Sequence, residues 1–239
     1  MLKSLCSDVV KGAFDYYRFP DLRTVWGGPF NGQPFRQALF RDLIDRFRPA
    51  SIIETGTYRG TTTEFMATTA LPIFSIEVVP RNYGFAMARF WHQRNVTIRR
   101  GNSPEVLRTL FDGDRRFFNE QVIFAYLDAH WNADLPLADE LDLIFDRCPR
   151  AISMIDDFQV PFDAGYGYDD YGSGKALTSA YIASAVKRYE LHTFYPSVPS
   201  QEEGGARRGC AVLAKAAIHG RRLSSVPLLR RAECCSAPD

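Results

Sequence analysis

Three aspartates follow short apolar runs, in Tyr126-Leu127-Asp128 and Met154-Ile155-Asp156-Asp157. Carboxylates gathered at the ends of neighbouring strands repel one another and raise one another's pKa. A divalent cation removes that conflict, and hard oxygen ligands suit magnesium, calcium or manganese. Helix capping by Asp156 or Asp157, or an ion pair with a buried arginine, are the alternatives. His130 stands two residues after Asp128. With an unperturbed pKa of about 6.5, a histidine there can take a proton near neutral pH.

A second group of residues suits a nucleotide. Ile52-Ile53-Glu54 runs into Thr55-Gly56-Thr57-Tyr58-Arg59-Gly60, a turn whose glycines let backbone approach a ligand closely. It is not the dinucleotide fingerprint, because Thr55 occupies the first glycine position. Glu77 closes Phe74-Ser75-Ile76-Glu77, 21 positions after Gly56. An acid about 20 residues beyond such a turn is where a ribose diol is gripped. Arg100-Gly101-Asn102-Ser103 closes a third run, and its small polar side chains suit an adenine edge. Ser103 is also placed to cap a helix, with Pro104 in its first turn.

These residues need a frame that brings run ends together. Strands are expected at Ala50–Glu54, Ile73–Val78, Val96–Arg99, Val122–Leu127, Ala151–Ile155, Leu191–Tyr195 and Cys210–Ala214. Helical spacing covers 35–47, 61–69, 83–93, 104–111, 136–148 and 177–189. Such alternation indicates an α/β domain with a mostly parallel sheet, whose ligands sit at the carboxyl ends of the strands. Arg18 to Phe35 and Val160 to Lys175 are rich in glycine and proline and read as loops. The first segment is expected to act as a lid. The second carries Tyr166, Tyr168 and Tyr171 among glycines and acids, which suits either a cover for a polyhydroxylated ligand or a plain surface loop. The expected division is residues 1–35 as an N-terminal lid or helical segment, 36–220 as the core and 221–239 as a loose tail.

Composition limits the alternatives. The chain has 239 residues, 46% of them apolar and 24% charged, and a net charge of +1. That suits one soluble domain and excludes a disordered or collagen-like class. The charge balance supplies no global field for nucleic acid or anionic lipid. No run reaches the roughly 20 apolar residues of a membrane helix, and Met1 to Gly12 is too polar for a signal peptide. Five scattered cysteines form no disulfide framework or zinc pair, and a cytoplasmic location is expected.

Taken together, Glu54 to Gly60, Glu77, Gly101-Asn102-Ser103, Leu127-Asp128 and Ile155-Asp156-Asp157 resemble the class I S-adenosylmethionine-dependent methyltransferases. The likeness is greatest to metal-dependent O-methyltransferases, of the catechol type and of macrolide and aminocoumarin sugar biosynthesis. It spans about Ile52 to Ala214. It implies a Rossmann-like, doubly wound, seven-stranded sheet with an antiparallel last strand and helices on both faces. It implies S-adenosylmethionine held by Glu54, Gly56, Thr57, Gly60, Glu77, Asn102, Ser103 and Asp128. It implies a divalent cation, magnesium first, on Asp128, Asp156 and Asp157. The catechol type carries a lysine base shortly after its equivalent of Asp128. Here His130 and Trp131 stand there, so His130 becomes the candidate base, assisted by Asp128. The expected acceptor is a hydroxyl of a small molecule or sugar-containing metabolite, with homo-oligomerisation left open. An NAD(P)-dependent oxidoreductase, a non-catalytic nucleotide-binding module and a metal-free methyltransferase are the competing readings.

Overall fold

The apolar runs pair into one sheet. The structure, a computed structural model, describes residues 7–130, 135–172 and 174–232. Strands β1 (Ser51–Thr55), β2 (Ile73–Glu77), β3 (Val96–Arg100), β4 (Ile123–Leu127) and β5 (Ile152–Ile155) run parallel. β6 (Leu191–Pro196) and β7 (Ala211–Lys215) pair antiparallel, and β7 docks antiparallel on β5. The seven expected strands are therefore present, with the seventh reversed. An eighth, β8 (Leu229–Arg231), pairs antiparallel with β6. The order is β3-β2-β1-β4-β5-β7-β6-β8. It reverses between β1 and β4, and that reversal opens a crevice at their carboxyl ends.

Alternate side chains on the strands feed two cores, as a period of two demands. Ile53, Ala125 and Leu127 face helices α5 (Ser103–Gly113), α6 (Arg115–Glu120), α7 (Leu137–Arg147) and α8 (Ser179–Arg188) through Leu107, Phe118, Leu141 and Ile182. Ile52, Phe124 and Tyr126 face α2 (Pro34–Phe47) and α3 (Thr61–Ala67) through Phe40 and Met66. α4 (Pro80–Phe90) covers β3 with Ala86 and Phe90 on Ile98. α1 (Asp8–Arg18) lies on α4, joined by the 2.6 Å ion pair of Asp15 with Arg81 and by Tyr16 against Phe85.

Two expectations change. The loose tail does not begin at Arg221. Leu223, Val226 and Leu229 are buried in the α2-side core, and β8 follows. The apolar residues there are spaced too irregularly to announce an element. Asn102, not Ser103, caps α5, and Ser103 is its buried first residue. The segment 18–35 contains two tight turns, Pro20–Arg23 and Pro29–Gly32. Both sheet edges end in exposed arginine pairs, Arg99 and Arg100 on β3 and Arg230 and Arg231 on β8. Among the described residues no helix is long and apolar enough to cross a membrane.

Candidate active site

On the β1–β2 side, the expected residues form a buried hydrogen-bonded chain. Thr63 donates to the Glu54 carboxylate at 2.6 Å, and Ser75 donates to the same oxygen. Ser75 also meets the Thr57 hydroxyl at 2.5 Å. The register explains this, since Glu54 lies opposite Ser75 on β2. Glu54 and Thr57 therefore turn inward. Burial drives the Glu54 pKa up to about 7, partly offset by those two hydroxyls.

Gly56 and Gly60 serve the fold first. At Gly56, φ is +87°, and a Cβ would lie 2.2 Å from the Asp128 carbonyl oxygen. The turn after β1 is thus pressed against the end of β4, where only glycine fits. Gly60 opens α3 at φ +76°, with the Phe90 ring where its Cβ would be. Glu77 is buried at the end of β2. One of its oxygens accepts from Tyr58 N–H at 2.6 Å and the other from Val79 N–H at 2.7 Å. Burial raises its pKa, against those backbone donors. Val78 N–H and the Asn82 side chain add to these donors on Glu77. Asn102 is exposed beside it, while Ser103 is buried.

The β4–β5 side is ionic. His130 is 6% exposed. Its Nε2 lies 3.6 Å from Asp128 Oδ1, too far for a hydrogen bond, and has no hydrogen-bond partner among the described residues. Its Nδ1 lies 3.3 Å from Asp169 and 3.4 Å from the Tyr171 hydroxyl. Arg208 joins Asp157, at 2.7 Å, to Asp169. Burial acts to lower the His130 pKa, but Asp169, Asp128 and Asp157 outweigh it and the net shift is upward. Burial acts to raise Asp169, but its bonds to His130 and Tyr171 and the charge of Arg208 hold it down at about 2. Asp128 is pushed above the usual carboxylate range by its enclosed setting, with Asp157 and Glu54 adding and His130 and Arg36 opposing.

Asp156 is not brought to this cluster. Its carboxylate pairs with Arg36, accepts from Tyr126 at 2.5 Å and accepts from Asn31 at 3.2 Å. Arg36 and Asp156 are both buried, so each needs the other. Asp128, His130 and Asp157 do converge, with ligand atoms within 4.8 Å of one another. Two carboxylates and an unpartnered imidazole nitrogen suit a divalent cation, whereas the set containing Asp156 does not.

Several residues here escaped the sequence reading. Asn31 and Gln33 come from the segment expected to be a lid, and Arg36 from the helix that follows it. The Gln33 side chain donates to the Arg208 carbonyl and accepts from its N–H, both at 2.9 Å. Arg36 carried a usable signal, because it lies on the helical face of Leu39, Phe40 and Leu43, where an unpaired charge is costly. Arg59 stacks on Tyr58 and Phe85. Of the three loop tyrosines, Tyr166 donates to the Val198 carbonyl and Tyr171 to Asp169. Trp131 lies outside the described residues.

No protein-family model and no curated protein matches the chain. Solved structures do match. An O-methyltransferase from Bacillus cereus in complex with SAH superposes with a TM-score of 0.54 at 14% identity, covering 90% of this chain and 94% of that one. The SAH-bound Podospora anserina methyltransferase PaMTH1 gives 0.51 at 17% identity, covering 88% of each chain. The methyltransferase domain of a bacterial Hen1 gives 0.51 at 12%, covering 75% of this chain and 97% of that one. The chain has the fold of these solved methyltransferases, as its strand-end residues implied.

Proposed function

We propose that this chain transfers a methyl group from S-adenosylmethionine to a hydroxyl of a small molecule. One observation carries the reading. His130 is a buried imidazole at the end of β4, with Nε2 unpartnered among the described residues, beside the crevice of a methyltransferase fold.

Methyl transfer from a sulfonium to an alcohol is an in-line displacement. The new O–C bond forms as the C–S bond breaks, and sulfur leaves with the electron pair. The protein must align the hydroxyl and accept its proton. His130 Nε2 takes that proton, and Asp128 and Asp157 stabilise the imidazolium formed. Glu77 holds the ribose diol, its two oxygens fixed by Tyr58 and Val79 N–H. Asn102 and Ser103 stand on the adenine side, and Gly56 shapes the turn beneath the methionine part. Asp128 and Asp157 would hold a divalent cation, magnesium in the first instance, which would lower the pKa of a bound hydroxyl. The 4.8 Å spacing favours one second reading, in which His130 is a third ligand and manganese replaces magnesium.

A net charge of +1 supports a small acceptor over nucleic acid or a membrane surface. The free, buried Cys148 and Cys210 support a reducing compartment, the cytoplasm. Calorimetry with S-adenosylhomocysteine and with NAD tests the cofactor. Binding of the first alone is expected, and binding of NAD alone sinks the reading. Manganese titration of H130A separates the two roles of His130. Unchanged affinity marks a base, and lost affinity marks a ligand.

A further inference from the structure

We infer that Asp169 is a positioning residue that fixes the tautomer of His130, keeping the ring proton on Nδ1 so that Nε2 offers its lone pair to the crevice. The inference rests on the proposed use of His130, and both roles weighed for that ring need the same lone pair.

The surroundings of Nδ1 decide the tautomer. Its two neighbours are oxygens, Asp169 Oδ2 at 3.3 Å and the Tyr171 hydroxyl at 3.4 Å. The Tyr171 hydroxyl has two acceptors, Asp169 Oδ2 and the His130 carbonyl at 3.3 Å, and its proton lies toward the nearer, Asp169 Oδ2. Both oxygens therefore present lone pairs to Nδ1. A bare nitrogen there would face only acceptors, whereas an N–H bonds to them. Arg208 ion-pairs with the other Asp169 oxygen and keeps the carboxylate charged.

Asp169 is aimed by its backbone. Its N–H donates to the Asp157 carbonyl and its carbonyl accepts from Leu177 N–H, both at 2.9 Å. Arg208 is tied in turn to Asp157 at 2.7 Å. The segment expected to cover the substrate thus orients the histidine.

Long-range 15N–1H correlation spectra test this without an acceptor substrate. The protein has four histidines, and the His130 signals are those lost in H130Q. Above the pH at which the ring loses its charge, the wild type is expected to show protonated Nδ1 and bare Nε2. D169A is expected to move the proton to Nε2, the form neutral histidine prefers in water. D170A removes an adjacent carboxylate that accepts from Gly172 N–H, and is expected to change nothing. S-adenosylhomocysteine affinity, within about twofold of wild type, reports that each variant is folded. A wild-type His130 protonated on Nε2 overturns the inference, and that spectrum suffices even if D169A does not fold. An unchanged tautomer in folded D169A overturns it too. Failure of the wild type to bind S-adenosylhomocysteine would instead sink the methyltransferase reading and leave the tautomer result standing.

Discussion

The two halves of the crevice solve the same problem by different means. At β1–β2, buried carboxylates are satisfied by neutral donors: Thr63 and Ser75 for Glu54, and backbone N–H groups with Asn82 for Glu77. At β4–β5, carboxylates are satisfied by charge: Arg36 for the buried Asp156, and Arg208 for the partly buried Asp157 and Asp169. The neutral half comes from one stretch of chain, Glu54 to Asn82. The ionic half is assembled from residues 31 to 36, 126 to 130, 156 to 171 and 208. A neutral network positions groups without competing for a cationic ligand. An ionic one can hold and release a proton, because charge there is already balanced among several partners.

The largest effect should come from breaking the ionic half. R36A leaves Asp156 buried and uncompensated, so urea unfolding should show a loss of about 3–5 kcal/mol. Much of that should return in R36A/D156N. A loss below about 1 kcal/mol would mean that the pair does not hold this half together.

Next is Glu54, the test of the neutral half. Its folded pKa, about 7, lies above the ordinary 4.5. Below 4.5 the group is protonated whether folded or unfolded. As pH rises from 4.5 to 7, the unfolded chain ionises first, and the folded protein loses stability. The full loss is about 3 kcal/mol above pH 7. E54Q should lack that slope, so its stability relative to wild type should climb between pH 4.5 and 8. Parallel curves would show that Glu54 is ionised in the fold.

A smaller effect separates ligand from scaffold. E77Q should weaken S-adenosylhomocysteine binding roughly tenfold by calorimetry, about 1.4 kcal/mol. H130A should leave it within about twofold. Equal losses in both would erase the division between the halves. The smallest effect belongs to Y171F, which removes one hydroxyl at the joint of Asp169 and His130. It should cost about 0.5–1.5 kcal/mol of stability and leave cofactor affinity unchanged.

The same division explains what the sequence made legible. Strand ends from Glu54 to Asp157 could be read because a parallel sheet puts its chemistry after each strand. The fold followed from the strict alternation of strand and helix. The inward hydrogen bonds of Glu54 and Thr57 were not legible, because they depend on the register that sets Glu54 opposite Ser75. Asp156 was misassigned because its partner, Arg36, lies 120 positions earlier on another element. Asp169 and Arg208 carried no local mark. Their roles exist only after backbone bonds bring residues 157, 167 to 169 and 207 to 209 side by side.

The arginine pairs at the two sheet borders bear on how molecules meet at high concentration. An open strand edge invites another chain to add itself, and positive charge along it makes that addition repulsive. β3 and β8 are the outermost strands among the described residues, and both carry such pairs. The short eighth strand therefore replaces the longer, more apolar border that β6 would otherwise present to neighbouring molecules. Threonines in place of Arg99, Arg100, Arg230 and Arg231 should leave the crevice intact while light scattering reports growing assemblies.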